Sequence, residues 1–127
     1  MKIEQKNPPR TYRCGVHGQI EIKDCARIEL DPDDQVTFVT DSGTEYDVAR
    51  KIWGYYATPS MNSRLPTHGL HPVLAMNGSG SYFVLLIETG HETACQEYLT
   101  EEGMTIVAHL DDVEHLGALQ KTFQGCK

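Results

Sequence analysis

A tight β-hairpin in the second half of the chain is the feature that most restricts its fold. The apolar segments 72–76 and 81–87 flank Asn77-Gly78-Ser79-Gly80. Asn-Gly followed by a second glycine supplies the backbone conformations that a tight reversal needs. Two strands joined so closely pair antiparallel, and one face of such a pair needs cover from another element to be stable.

The residues after this hairpin predict a helix that provides the cover. Thr89 and Glu92 have the spacing of a capping box, with Thr89 as the N-cap of a helix over 91–102. Gly103 is the expected C-terminal stop. We expect the helix to pack on the hairpin through four residues of one face, which are Ala94, Cys95, Tyr98 and Leu99.

A further strand and a last helix complete this part of the chain. Residues 104–109 predict the strand, and Asp111 with Glu114 opens the helix. Its apolar residues are Val113, Leu116, Leu119 and Phe123. If the strand at 104–109 paired parallel with the one at 81–87, the intervening helix would make a right-handed crossover in a mixed sheet of five or six strands.

The first half of the chain also predicts strands. Residues 19–23 and 44–48 alternate apolar and polar side chains, and residues 35–40 are rich in β-branched and aromatic side chains. Asp41-Ser42-Gly43 connects the last two segments as a hairpin. With the second half, this predicts the α+β class, with a mixed, mostly antiparallel sheet and two C-terminal helices.

Domain organisation follows from the prolines near the N-terminus. Pro8-Pro9 cannot enter the interior of a helix and favours an extended backbone before it. We therefore expect residues 1–11 to be a flexible arm and the folded region to begin near Tyr12. Because no linker or repeat interrupts the rest, residues 12–127 are expected to form a single domain.

Charge is distributed unevenly and excludes some partners. The chain has a net charge of −7, and no Lys or Arg lies between Arg64 and Lys121. Nucleic-acid binding depends on cations that contact phosphate, so we expect none. No apolar run approaches the roughly 20 residues of a membrane span, and no signal peptide is recognisable, so we expect a cytoplasmic protein whose cysteines stay reduced.

The segment from Trp53 to Arg64 holds the chain's one tryptophan. Aromatic rings beside a few polar groups are typical of small-molecule sites, and an arginine can hold an anionic group with two hydrogen bonds. The candidate ligand-binding residues are Trp53, Tyr55, Tyr56, Asn62, Arg64, His68 and His71. An equally open interpretation is a packed loop in which the aromatic rings close one end of a sheet.

Two histidines follow this segment and suggest an enzyme as an alternative. His68 or His71 could act as an acid or base near neutral pH, with Arg64 as the anchor for a polar metabolite. The spacing H-x-x-H outside a helix does not place both rings on one face. No nucleophile motif such as G-x-S-x-G occurs in the chain.

A third hypothesis is a zinc-stabilised module. Cys14 and His17 have C-x-x-H spacing, and Cys25 follows as a third potential ligand. The fourth zinc ligand would have to come from His109, His115 or Cys126. The alternative is that the cysteines are ordinary thiols that bind no metal. Among the three hypotheses, the residues favour a small binding or accessory domain that engages a polar or anionic small molecule, or a protein, through residues 53–64.

Overall fold

A computed structural model describes residues 1–125. Its fold is α+β, as the sequence predicts, and the described residues form eight strands and three helices. In chain order these are β1 (Lys2–Cys14), β2 (Ile20–Glu29), β3 (Gln35–Val39), β4 (Glu45–Lys51), β5 (Gly54–Ala57), α1 (Arg64–Thr67), β6 (Leu70–Met76), β7 (Tyr82–Glu88), α2 (Glu92–Glu101), β8 (Thr105–His109) and α3 (Val113–Gly125).

The strands form three small sheets, with the orders β1-β2, β3-β4-β5 and β7-β6-β8. The chain divides into two compact units. The first, which we call the ribbon unit, comprises Met1–Thr37 and Asp47–Thr58; the second, the core unit, comprises Phe38–Tyr46 and the chain from Pro59 onward. A single domain over 12–127 stays a prediction.

The N-terminal segment is a paired strand from Lys2 onward, so the folded region does not begin near Tyr12. Strand β1 pairs antiparallel with β2 from Lys2 opposite Glu29 to Cys14 opposite Ile20. The register shifts between Gln5 and Arg10, the stretch that contains both prolines. A bulge tolerates residues that lack an N–H donor, which explains why Pro8-Pro9 does not prevent pairing.

The predicted hairpin of the core unit is confirmed. Strand β6 pairs antiparallel with β7 from Leu70 opposite Glu88 to Met76 opposite Tyr82. At the turn, the Asn77 N–H donates to the Ser81 carbonyl at 3.0 Å, and the Asn77 side-chain oxygen accepts from the N–H groups of Ser79 and Ser81. The asparagine therefore stabilises the reversal with its side chain as well as its backbone.

Strand β8 takes a different place from the one expected. It pairs with β6, antiparallel, and not with β7. Strands β7 and β8 therefore run in the same direction on either side of β6, and α2 connects them across the central strand. Strand β6 is apolar at most positions, and its residues Val73 and Ala75 are fully buried. An apolar sequence of this kind favours the central position in the sheet, where a strand has a neighbouring strand along both of its edges.

Helix α2 agrees with the prediction in extent but not in its cap or its packing. Its N-cap is His91 and not Thr89, and Gly103, with a φ of +64°, ends it as expected. Of the four residues expected to pack on the sheet, only Leu99 is buried. Ala94 and Tyr98 are exposed and Cys95 is half-buried.

The apolar residues of α3 are less covered than their spacing predicts. No residue of this helix is buried. Val113, Leu119 and Phe123 are exposed, and Leu116 is half-buried. No helix in residues 1–125 has the length and apolar character that a membrane span requires.

The buried apolar side chains of the described residues all belong to the core unit. They are Leu65, Leu70, Val73, Ala75 and Leu99. The ribbon unit instead displays apolar side chains, and on β1 and β2 these form cross-strand pairs such as Ile3 with Ile28 and Tyr12 with Ile22. These side chains share one face of the two-stranded sheet, which is partly exposed and also carries the paired Arg10 and Asp24.

Candidate functional sites

The segment expected as an irregular loop begins as a tight hairpin in the ribbon unit. Lys51 of β4 pairs with Gly54 of β5, so Ile52 and Trp53 form a two-residue turn. The φ of Gly54 is +148°, in the region that favours glycine. The sequence could not distinguish this turn from a loop because Ile-Trp is not a typical turn pair.

Four large side chains at this hairpin are exposed. The exposed fractions are 84% for Ile52, 68% for Trp53, 66% for Tyr55 and 52% for Tyr56. We call these four residues the aromatic hairpin. The packed-loop interpretation is wrong for them, because rings that closed the end of a sheet would be buried.

The other candidate ligand-binding residues lie in the core unit. Asn62 is exposed in the turn before α1. Arg64 is the first residue of α1; its side chain is exposed, and its N–H donates to Ser60 Oγ at 3.0 Å. A common site for these residues and the aromatic hairpin stays a prediction.

The two histidines have different partners. His68 is the C-cap of α1, and its Nδ1 lies 3.8 Å from Glu45 Oε2. His71, on β6, makes a closer set of contacts: Nδ1 lies 3.0 Å from Asp111 Oδ2, and Nε2 lies 2.9 Å from Thr89 Oγ1. We call the Thr89–His71–Asp111 set the histidine bridge.

The bridge joins three separate parts of the core unit. His71 is on the central strand, Thr89 is in the connection from β7 to α2, and Asp111 is in the connection from β8 to α3. The His71 imidazole is partly exposed, Asp111 is half-buried, and Thr89 is exposed. The bridge is therefore accessible from solvent at its hydroxyl end.

The hydrogen bonds restrict where the protons of the bridge lie. An ionised carboxylate only accepts, so His71 Nδ1 donates to Asp111. Thr89 Oγ1 also lies 3.2 Å from the Gly69 carbonyl. Neutral His71 therefore accepts the Thr89 proton at Nε2, whereas protonated His71 donates there and the hydroxyl proton turns to Gly69.

Carboxylates flank the bridge. The pKa of Glu88 is lowered chiefly by a hydrogen bond from the Ser42 hydroxyl, with a further contribution from Thr40 at 3.1 Å. The pKa of Glu92 is lowered by its own N–H and by that of Gly90, which donates to Glu92 Oε2 at 3.0 Å. Both carboxylates stay ionised near neutral pH, so this part of the surface is negative.

A cavity of about 360 Å³ lies between β7 and α2. Its lining is mostly apolar and includes Glu88 and His91, which lie on either side of Thr89 in the chain. Cys95 and Tyr98 also line it, which explains why the predicted helix face is incompletely buried. Burial raises the pKa of the Cys95 thiol, so it is a poor nucleophile there.

The candidate zinc ligands are not brought together. Cys14 ends β1 opposite Ile20, whereas Cys25 lies five positions further along β2 and, by alternation, on the other face. In residues 1–125 no group of three or more His, Cys, Asp or Glu side chains is placed to hold a metal ion. Cys126, one candidate for the fourth ligand, lies outside the described residues.

Comparison with family models, with curated proteins and with solved structures finds no match to this chain. Proposals about its function therefore depend on the geometry of the aromatic hairpin and of the histidine bridge. Of these, the sequence indicated Trp53, Tyr55, Tyr56 and His71. It indicated Thr89 and Asp111 as residues that open helices and did not connect them with His71, because no local pattern signals a contact between residues 18 and 40 positions apart.

Proposed function

We propose that this protein is a binding module that engages a protein partner through the aromatic hairpin. The observation that supports this is the exposure of Trp53, at 68%, beside two exposed tyrosines and Ile52. Tryptophan and tyrosine are enriched in the residues that dominate protein–protein binding energy. A chain that displays three of them at one hairpin exposes apolar area that a partner would remove from water.

The size of this surface fits the centre of an interface. Tyr55 and Tyr56 are consecutive residues of β5, so their rings lie on opposite faces of the sheet. A buried aromatic side chain contributes about 150–250 Å², so Trp53 together with one of the tyrosines presents roughly 200–300 Å². This approaches the largest apolar patch of a typical monomer, about 300–600 Å². A standard interface takes about 800 Å² from each partner, so neighbouring residues would supply the rest.

The shape and charge of the hairpin favour a protein over a small molecule. Small-molecule sites are concave, whereas a two-residue turn with exposed side chains protrudes. Lys51, which directly precedes the turn, is already paired, since its Nζ lies 2.6 Å from Asp33 Oδ1. The ribbon unit as a whole has eight Lys or Arg and eight Asp or Glu residues, so the expected partner presents an apolar groove of low net charge.

A cytoplasmic location is part of this proposal. Cys14, Cys25 and Cys95 are free thiols in the described part of the chain. Free thiols, one of them exposed on β2, fit a reducing compartment. Fractionation of the source cells with an antibody against the protein would test the location directly.

The binding proposal is tested with a matched pair of variants. Trp53→Ala removes an aromatic ring that is 68% exposed in the ribbon unit, and Phe123→Ala removes one that is 67% exposed in the core unit. Proteins that co-purify with the tagged wild type from the source cells are identified, and candidates are then purified. We expect Trp53→Ala to weaken binding of the true partner about 30-fold, the effect of a 2 kcal/mol hot spot, and Phe123→Ala to leave it unchanged.

Fluorescence provides a second reading, because Trp53 is the one tryptophan of the chain. Its emission is expected to be that of a water-exposed indole in the free protein and to shift to shorter wavelength when a tryptophan-free fragment of the partner binds. A partner that binds Trp53→Ala as tightly as wild type, with no spectral shift in the wild type, would rule out the aromatic hairpin as the binding surface.

A further inference from the structure

We propose that the histidine bridge is a hydrolytic centre for small acyl esters that are neutral or cationic. Thr89 Oγ1 would be the nucleophile and His71 the general base, with Asp111 as the positioning residue. The observation is the pair of hydrogen bonds at 2.9 Å and 3.0 Å from the two nitrogens of His71. This activity is separate from the proposed binding function, since the bridge belongs to the core unit and the aromatic hairpin to the ribbon unit.

The geometry matches the roles of a nucleophile–histidine–carboxylate triad. Such triads are recognised by geometry and role and not by the order of residues in the chain. Here Asp111 holds the Nδ1 proton, so the Nε2 lone pair of neutral His71 faces the Thr89 hydroxyl. The carboxylate is half-buried and the hydroxyl is exposed, which lets a substrate reach the nucleophile while the base stays oriented.

The proposed reaction balances without a cofactor. Thr89 Oγ1 attacks the ester carbonyl carbon as its proton moves to His71 Nε2, and the imidazolium then gives that proton to the departing alkoxide. This leaves an acyl ester on Thr89. Water attacks the acyl carbon as His71 Nε2 takes one of its protons, and that proton returns to Thr89 Oγ1 as the acid leaves.

A backbone donor for the negative oxygen of the intermediate is present but engaged. The N–H of the residue after a nucleophile often serves this purpose. That residue is Gly90, whose N–H donates to Glu92 Oε2 at 3.0 Å. An anionic oxygen therefore already occupies the place that the substrate oxygen would take, and turnover is expected to be slow because Glu92 must first release the donor.

The surroundings restrict the class of substrate. Glu88 and Glu92 flank Thr89, and the core unit carries three Lys or Arg against ten Asp or Glu residues. An anionic ester would be repelled, whereas a neutral or cationic one would not. Glu88 and His91, which lie on either side of Thr89 in the chain, line the mostly apolar cavity of about 360 Å³ between β7 and α2, and we place the acyl chain of the substrate there.

The test uses 4-nitrophenyl acetate as a neutral probe and 4-nitrophenyl hemisuccinate as an anionic one. Wild type is expected to hydrolyse the acetate faster than the hemisuccinate and to carry an acetyl group on the peptide that contains Thr89. Thr89→Val and His71→Gln are each expected to lose activity on the order of 100-fold. Thr89→Ser keeps a hydroxyl and is expected to retain the activity.

A matched histidine controls for non-specific imidazole reactivity. The side chains of His68 and His71 are both 36% exposed, and both lie near a carboxylate. His68→Gln is therefore expected to leave the rate unchanged. Wild-type activity in Thr89→Val, or an acetyl group on another residue in the wild type, would overturn the proposal. The comparison of Val with Ser at position 89 stands even if His71→Gln does not fold.

Asp111 is tested by separating kcat from KM for 4-nitrophenyl acetate. In Asp111→Asn kcat is expected to fall with little change in KM, because the carboxylate no longer holds the Nδ1 proton and the Nε2 lone pair of His71 is no longer fixed toward Thr89. A purely structural role would lower the amount of folded protein and leave kcat per folded molecule in place.

Discussion

In the core unit, Leu65, Val73 and Leu99 are each 1% exposed, whereas the ribbon unit leaves Trp53 and Tyr55 about two-thirds exposed. The core unit also displays apolar residues, such as Phe123, but in the described part of the chain only this unit has buried ones. The difference concerns how each unit is stabilised. The core unit buries apolar area within itself, and the ribbon unit relies on strand pairing and leaves its apolar area available.

The two units also differ in net charge. All seven net negative charges of the chain fall in the core unit, and the ribbon unit is neutral. Repulsion between negative charges keeps a surface from associating, whereas a neutral, apolar surface lacks this protection. The two proposals assign different roles to these units: the neutral unit would bind another protein, and the acidic unit would hold the hydrolytic centre.

The largest expected loss of stability comes from removing a buried side chain of the core unit. Leu99→Ala is expected to lower the free energy of unfolding by about 2–5 kcal/mol, because a fully buried leucine loses both its transfer energy and its packing. Ile22→Ala, in the ribbon unit, is expected to cost less than about 1 kcal/mol, because Ile22 is 37% exposed and its cross-strand partner Tyr12 is exposed as well. Both are measured by denaturant unfolding.

An equal loss of unfolding free energy in Leu99→Ala and Ile22→Ala would contradict the difference between the two units, because the ribbon unit would then have a core of its own. A loss below about half a kilocalorie in Leu99→Ala, the range of ordinary surface substitutions, would mean that α2 does not stabilise the sheet. Ile52→Ala is expected to give the smallest loss of unfolding free energy of the three variants, since Ile52 is 84% exposed.

An intermediate effect is expected from two glycines with positive φ. The φ of Gly69 in the core unit is +89°, and an added Cβ would lie 2.8 Å from Thr44 Cγ2. The φ of Gly18 in the ribbon unit is +63°, with no atom within 4 Å of the added Cβ. The backbone conformation costs each alanine variant about 1 kcal/mol, and the clash with Thr44 destabilises Gly69→Ala further.

Thermal unfolding of the two alanine variants measures this difference. We expect the lower Tm in Gly69→Ala. A Thr44→Ser change, which deletes the clashing methyl group, is expected to return part of the loss in Gly69→Ala. If Gly18→Ala were the less stable variant, close packing would not be what distinguishes the core unit.

Local patterns explain which parts of the fold were predictable. The turn at Asn77–Gly80 and the end of α2 at Gly103 depend on neighbouring residues, and both agree with the structure. The place of β8 depends on which edge of the sheet is available, so it could not be read from its own residues. Strand β1 was missed because a partner on β2 overrides the local effect of Pro8-Pro9.

The same distinction applies to the candidate sites. Composition alone indicated Trp53 and the tyrosines, but their exposure depends on the turn at Ile52 and Trp53. Thr89 had the local signature of an N-cap, yet its hydroxyl contacts His71 and Gly69. The Thr89 hydroxyl could bond either to the first turn of α2 or to residues distant in the chain, and it does the second. Sequence spacing does not indicate which of the two partners is chosen.

The smallest of these effects concerns a charge cluster of the ribbon unit. Lys6 Nζ lies 2.5 Å from Asp24 Oδ2, and Arg10 Nε lies 3.4 Å from the same oxygen. The hydrogen bond from Lys6 is the main cause that holds the pKa of Asp24 below its ordinary value of 3.8. Because the folded pKa is lower than the unfolded one, this carboxylate stabilises the fold above pH 3.8, and the contribution disappears as pH falls through the lower folded pKa.

Asp24→Asn isolates that contribution. The variant is expected to be slightly less stable than wild type at pH 7, and the two unfolding curves should converge as the pH is lowered below 3.8. The gap should also shrink at high salt, since Asp24 and both cations remain partly in contact with water. Glu4→Gln, an exposed residue opposite Arg27 on the same strands, is the control. A gap of the same size at every pH would show that Asp24 supports β1 through hydrogen bonding that an asparagine cannot replace, and that its charge is not what stabilises the ribbon unit.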